Sequence, residues 1–246
     1  ALGCELVVTG HYARVEHNAE TGRWELKKAT FLEKDQSYVL FNLTQEQLAR
    51  IRFPLGAMSK TDARVEAEEA GFKNAQKHES QDICFVPTGK YTDFIEKYTG
   101  KTYPHGEFVD VRNGNVLGEH KGIIRYTVGQ RKGLGLALPQ PMYVTKVDPA
   151  GNKVYLGLND DLFTTTLLAE DVNWISVPGL EPGETLRVTA KVRYKQPDRP
   201  ATVTAMDDGR IRVVFDEPQR AITKGQAVVL YDGDTVVGGG TISECE

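Results

Sequence analysis

Cysteine, grouped histidine, long apolar runs and an excess of positive charge are all scarce in this sequence, and each shortage removes a class of function. The three cysteines, Cys4, Cys84 and Cys245, stand far apart with no C-x-x-C pair, and His11, His17, His78, His105 and His120 form no ligand cluster. That spacing argues against a zinc site and a disulfide scaffold, and it fits a reducing cytoplasm. No apolar run reaches the roughly 20 residues that cross a bilayer, so no membrane role is expected. The opening residues ALGCELVVTGHYAR lack the basic segment, apolar core and small-residue cleavage site of a secretory leader. They also lack an initiator Met and read as a helix end running into a strand, so an upstream part is expected to be missing. A net charge of −4 speaks against a generally basic nucleic-acid coat.

What is present is an ordinary globular balance, 40% hydrophobic and 26% charged over 246 residues, enough for one large or two modest domains. Residues 6–9 read as a short strand ending in Gly10-His11, and 24–30 as a second. Thr44 followed by Gln45-Glu46-Gln47 matches a capping box, opening a helix that runs towards Ile51 and stops at Pro54. Residues 59–71 read as a helix closed by Gly71, and 83–86 as a buried strand ended by Pro87. Tyr91, Phe94, Ile95 and Tyr98 recur at helical spacing, with a stop near Gly100. Asn113-Gly114 and Asp148-Pro149-Ala150-Gly151 mark two hairpins. Beyond about residue 167 the helix signal disappears, and strands are expected at 185–194, 201–206, 210–215, 227–231 and 236–242. Residues 185–194 alternate polar and apolar with a period of two, and short antiparallel strands with such turns predict a small closed barrel. The chain thus reads as three parts: an α/β piece too small to be a doubly wound domain alone, a mixed middle, and a barrel.

Four stretches offer chemistry. Gly10-His11 puts a glycine and an imidazole at a carboxyl strand edge, where open α/β sheets bind ligands; a tight turn and a surface histidine explain the same residues. Lys34-Asp35-Gln36-Ser37 offers a cation and hydrogen-bonding groups, or simply a loop and cap. Residues 120–147 carry Lys121, Arg125, Arg131, Lys132 and Lys146 with no acidic residue, and glycines flank Arg131-Lys132 in YTVGQRKGLG. Glycine-freed amides beside such charges suit phosphate, although the string is neither a dinucleotide fingerprint nor a Walker A loop. Cys84, in HESQDICFV, is either a small buried hydrophobe or a thiolate nucleophile, and the residue pattern alone favours the former.

Taken in order, TGHY, KDQSYVL, HESQDICFV and YTVGQRKGLG, followed by VRY and KGQAVVLYDGD, resemble the bacterial-type tRNA-specific 2-thiouridylase family over essentially the whole chain. The resemblance implies an α/β remnant of a PP-loop (adenine nucleotide α-hydrolase-like) domain at residues 1–50 and 73–86. It implies a mixed α+β central tRNA-binding domain at 51–72 and 87–158, and a C-terminal antiparallel β-barrel at 159–246. The implied activity is that of a tRNA-uridine 2-sulfurtransferase. ATP adenylates the C2 oxygen of the wobble uridine in tRNAs for Lys, Glu and Gln, and a cysteine persulfide displaces AMP. The implied partners are tRNA and a sulfur donor such as a cysteine desulfurase or a sulfur-relay protein. By matching motif, Cys84 carries the persulfide and can form a disulfide bond with a partner thiol. Gly10 contacts the nucleotide, and His11, Lys34, Asp35, Gln36, Arg193, Tyr194 and Gln226 contact tRNA. The family's S-G-G-x-D-S phosphate loop, where ATP and Mg2+ would sit, and its N-P-C cysteine motif do not occur here, and Cys4 does not stand in that context. The chain by itself is therefore expected to be inactive. A non-catalytic RNA-binding barrel module and a PP-loop enzyme acting on a small molecule are the competing readings.

Overall fold

The hydrophobic residues gather into two bodies in the computed structural model, which describes residues 3–73 and 91–246. Of the described residues, one body comprises 3–73, 165–218 and 223–246; the other comprises 91–164 and 219–222.

The first body begins with β1 (Val7–Val8), then β2 (Ala13–Asn18) and β3 (Arg23–Lys28), an antiparallel hairpin. Helix α1 (Gln45–Arg50) starts where the capping pattern places it. Gln47 N–H donates to Thr44 Oγ1, and Thr44 N–H donates to Gln47 Oε1. The helix ends one residue before β4 (Ile51–Arg52), which pairs in parallel with β1, the α/β signature expected here. Helix α2 (Lys60–Glu69) is capped by the Ser59 hydroxyl and closed by Gly71 at φ +74°, a left-handed turn that suits glycine. The strand expected at 83–86 lies outside the described residues.

The second body holds α3 (Tyr91–Thr99) and a mixed four-stranded sheet in the order β6-β5-β8-β7. Its strands are β5 (Gly106–Asp110), β6 (Val116–His120), β7 (Tyr143–Asp148) and β8 (Lys153–Gly157). Both expected hairpins form. Gly114 takes φ +75° between β5 and β6, and Asp148 Oδ1 accepts from Ala150 and Gly151 N–H between β7 and β8. Phe108, Val144, Val154 and Leu156 are buried at its centre.

The remaining strands, β9 (Phe163–Trp174), β10 (Thr185–Lys191), β11 (Arg199–Ala205), β12 (Ile211–Arg220), β13 (Ala227–Asp232) and β14 (Thr235–Cys245), form the barrel of the first body. The ring runs β13-β10-β11-β12-β9-β14 and closes where β14 pairs with β13. Alternation does what the pattern requires. Val188 and Ala190, Ala201, Val203 and Ala205, and Ile211, Val213 and Phe215 are buried, while Arg187, Arg212 and Asp216 between them are exposed.

The sheet does not stop at the ring. Thr235 of β14 pairs with Lys27 of β3, and Lys28 N–H donates to Asp234 O at 2.8 Å, so the β2–β3 hairpin extends the barrel sheet. Strand β13 is consequently covered on both faces. Its Val229 and Tyr231 join Leu26, Tyr38, Leu48 and Phe53 in one buried cluster. Each such side chain removed from water contributes about 2 kcal/mol.

Candidate nucleic-acid interface

Two strings that are separate in sequence meet in the first body. Tyr12 N–H donates to Gln36 Oε1 at 2.9 Å, and Gln36 N–H donates to Tyr12 O at 2.8 Å, which ties TGHY to KDQS. His11 Nδ1 lies 2.8 Å from Thr9 Oγ1, and its ring stands edge-on to Phe53. Gly10 is exposed, and a Cβ there would meet only Leu55 Cδ1 at 3.7 Å. Nothing in the fold itself demands glycine at that position.

Lys34 ends a 3-10 turn, Leu32–Lys34, and Asp35 follows it, buried. Asp35 Oδ1 accepts from Ala29 N–H at 2.9 Å and Ser37 N–H at 3.1 Å, while Oδ2 accepts from Ser37 Oγ at 2.8 Å. The Ser37 hydroxyl also lies 3.2 Å from the Tyr231 hydroxyl. Asp35 therefore acts as the local organiser of its own loop, although the N-cap of the 3-10 turn Ser37–Leu40 is Gln36, which makes no side-chain capping bond.

The chain after β10 brings Arg193 and Tyr194 to the same neighbourhood. A cleft of about 600 Å³ opens between residues 28–35 and 191–198, with Lys28, Asp35, Lys191, Tyr194, Lys195 and Asp198 on its walls. Lys191 Nζ sits 5.7 Å from the ring centres of both Tyr38 and Tyr194, and Lys28 Nζ sits 4.4 Å over Tyr231. The Tyr38 hydroxyl donates to Ala227 O; burial pushes its pKa up to about 12, although the Arg193 charge opposes this. Burial pulls the Lys191 pKa down against the opposing pull of Asp35 and Asp198. For Asp198 burial acts upward, but the Thr189 hydroxyl and the Lys28 ammonium outweigh it, so its carboxyl stays below the usual range. Arg193 donates to Thr223 Oγ1 at 2.9 Å, and Gln226, exposed, begins after the same turn, its N–H donating to Thr223 O. The structure thus gathers Asp35, Tyr194 and the Lys34 turn around one cleft and ties Arg193 to the turn that carries Gln226.

Lys28, Tyr38 and Lys191 were not singled out by sequence reasoning. Lys191 falls on the polar beat of an alternating strand, and no local signal announces that two tyrosines embrace it. The basic segment of the second body is partly used internally. Arg125 donates to Lys121 O and Thr92 Oγ1 and faces Asp93 and Glu96 at 3.9 Å, which fastens it to α3. Arg131 and Lys132 are exposed on a loop braced by Gln130, which accepts from Thr127 N–H and donates to Lys132 O.

Cys84 lies outside the described residues. Cys4 and Cys245 are in no disulfide, and among the described residues no group of His, Cys, Asp and Glu can hold a metal ion. Gly10, expected to contact the nucleotide, has an open Cβ direction and no left-handed backbone. No helix among the described residues is long and apolar enough to cross a membrane.

Comparison with known proteins covers the chain in three blocks. Residues 1–88 match the model of a tRNA methyl transferase HUP domain, 92–158 a tRNA methyl transferase PRC-barrel domain, and 164–242 an aminomethyltransferase beta-barrel domain. A tRNA-specific 2-thiouridylase MnmA of Clostridioides difficile is 50% identical over 99% of this chain and 66% of its own length. Its counterpart from Acetivibrio thermocellus is 49% identical over 98% of this chain and 67% of its own length. A more distant one, from Trichormus variabilis, is 45% identical over 99% and 68%. The chain spans about two thirds of the length of the curated relatives it matches. The block descriptions speak of methyl transfer and the relatives of thiolation, and the relatives match across nearly the entire chain.

Proposed function

The chain belongs to the tRNA-specific 2-thiouridylase family, and from that premise we propose that it is the tRNA-gripping, persulfide-bearing share of a sulfurtransferase that places sulfur at C2 of the wobble uridine in tRNAs for Lys, Glu and Gln. The observation that supports this reading is that Asp35 of KDQS and Tyr194 of VRY share one cleft of lysines and tyrosines, while Gln36 ties TGHY to the same loop. Ammonium groups beside aromatic faces suit a phosphate backbone with unstacked bases, the usual target of RNA recognition.

A uracil carbonyl is a weak electrophile with a poor leaving group, so the oxygen needs activation before sulfur displaces it. The adenylation implied by the resemblance draws on ATP, with Mg2+, held outside the described residues, and no step through it is assigned to them. The part given to this chain is to hold the anticodon loop and let the target base leave its stack. Cys84 then offers persulfide sulfur, loaded by a donor such as a cysteine desulfurase or a relay protein: AMP leaves as the C2–S bond forms, and a partner thiol outside the described residues breaks the S–S bond, ending as a disulfide with Cys84. A reducing cytoplasm suits that chemistry.

The test compares the complete protein with the 246-residue chain. The complete protein forms 2-thiouridine from ATP and a sulfur donor, and the chain alone binds tRNA without thiolating it. In the complete protein Cys84→Ser abolishes sulfur transfer and leaves tRNA affinity within about twofold. Equal loss of both refutes the courier role for Cys84. Failure of the complete protein to thiolate favours a non-catalytic RNA-binding module.

A further inference from the structure

Tyr231, on β13, is fully buried and still carries a hydroxyl. That hydroxyl lies 3.2 Å from Ser37 Oγ, and counting protons fixes the direction of the bond. A serine hydroxyl has one proton to give, and Ser37 gives it to Asp35 Oδ2 at 2.8 Å. Tyr231 is therefore the donor to Ser37. Burial raises its phenol pKa, which keeps that proton on the oxygen. The relay runs from Tyr231 O–H to Ser37 O–H to Asp35, whose other oxygen accepts from Ala29 and Ser37 N–H. Tyr38 adds a second tie by donating to Ala227 O at 2.9 Å. Two successive residues of KDQSY are thus fastened near opposite ends of one barrel strand.

Its neighbours hold the phenol in place. The Lys28 ammonium stands 4.4 Å over the Tyr231 ring and pairs with Asp198 at 3.2 Å. Asp198 accepts from Thr189 Oγ1 at 2.6 Å, and Thr189 stands opposite Tyr231 in the β10–β13 ladder. The ring shares a buried cluster with Leu26, Tyr38 and Leu48, a burial that phenylalanine would supply equally. Only the oxygen reaches the loop. Without it Ser37 still donates to Asp35 and no buried donor is orphaned, so the core itself does not demand the oxygen. Lys34, half-buried, directly precedes Asp35, so the relay ends one residue from it.

We propose that Tyr231 is a positioning residue for the tRNA reaction: its hydroxyl, acting through Ser37 and Asp35, fixes the loop that carries Lys34 and so sets how well Lys34 meets the RNA. The inference rests on the RNA reading above and adds to it a buried residue that touches no RNA itself.

The test uses the complete protein and an unmodified glutamate tRNA transcript. Tyr231→Phe weakens tRNA binding by roughly 2- to 12-fold, the range for one hydrogen bond. The KM for tRNA rises by a similar factor while kcat stays within about twofold. Lys34→Ala weakens binding by about threefold or more in the wild-type background. In the Tyr231→Phe background it costs less than about 1.5-fold, because a misplaced Lys34 has little left to lose. Ser37→Ala cuts the relay from the loop side and gives the same loss and the same insensitivity to Lys34→Ala, so it decides the matter alone where Tyr231→Phe does not fold. A Tyr231→Phe protein that binds tRNA like the wild type overturns the proposal. So does a Lys34→Ala loss of the same factor in all three backgrounds, the result that a purely structural tyrosine gives. A Lys34→Ala substitution that costs the wild type nothing, or a wild type that binds no transcript, refutes instead the RNA reading on which the positioning role rests.

Discussion

Gln36 grips Tyr12 twice, once through its side-chain oxygen at 2.9 Å and once through its own backbone N–H at 2.8 Å. The pair fixes the segment carrying Gly10 and His11 against the loop carrying Lys34 and Asp35. Gln36→Ala removes the acceptor of the Tyr12 N–H and is expected to destabilise the first body by about 1–2 kcal/mol. Gln36→Glu keeps an acceptor oxygen and should recover most of that loss. Urea midpoints of the three proteins provide the check.

Asp35→Asn separates scaffolding from RNA contact. The amide oxygen keeps the Ala29 and Ser37 N–H bonds, but both lose a charged acceptor, and the N–H2 faces the Ser37 hydroxyl, which must stop donating to residue 35. The expected cost is about 1–3 kcal/mol, visible as a lowered melting temperature without any RNA present. An unchanged melting temperature would contradict the organising role given to this carboxylate.

His120 makes the second body sensitive to acid. It is fully buried; Nδ1 accepts from Gly122 N–H at 3.2 Å, so the neutral ring donates from Nε2 to Asn152 O at 3.1 Å. Burial lowers its pKa below the usual 6.5. The unfolded chain therefore binds the proton first as pH falls, so stability is complete above about pH 6.5 and declines as pH drops towards the folded value. Denaturation followed from pH 8 to pH 5.5 should show that decline, and His120→Gln should flatten it while lowering stability at pH 8.

Glycines 10 and 239 should respond oppositely to alanine. A Cβ on Gly239 would lie 2.6 Å from both Val228 O and Phe41 Cδ2, where the backbone oxygen has little room to retreat. Gly239→Ala is expected to cost about 2 kcal/mol or more through overpacking. Gly10→Ala meets only an ordinary contact at 3.7 Å and should change stability by less than about 0.5 kcal/mol. Any loss of activity in that variant then reports the approach of a ligand and not of the fold. Thermal melts and thiolation assays of the two complete proteins decide both points.

Local chemistry was legible where a short string suffices to define geometry. The Thr44 capping box, the Asn113-Gly114 turn and the alternation through Arg187, Val188 and Ala190 all appear where the sequence puts them. Strand β2 was not legible, because ARVEHN is mostly polar and finds its place only by pairing with β3 and, through it, with β14. Strand β9 was hidden for a related reason: Asp171 takes φ +52° within it, and its pairing with β14 shifts register, which breaks the two-residue rhythm. The motif strings located Tyr194 and Asp35, but the embrace of Lys191 depends on Tyr38 arriving from a distant turn. That kind of relation exists only in three dimensions.

The contact between Lys27 and Thr235 has a bearing on synthesis. A ribosome delivers the β2–β3 hairpin about 200 residues before its sheet neighbour β14, so the nascent chain must carry an unpaired edge through that interval. Long-range closure of this kind is slow. Emergence of β14, and not of the hairpin itself, should set the moment at which the hairpin becomes protease-resistant.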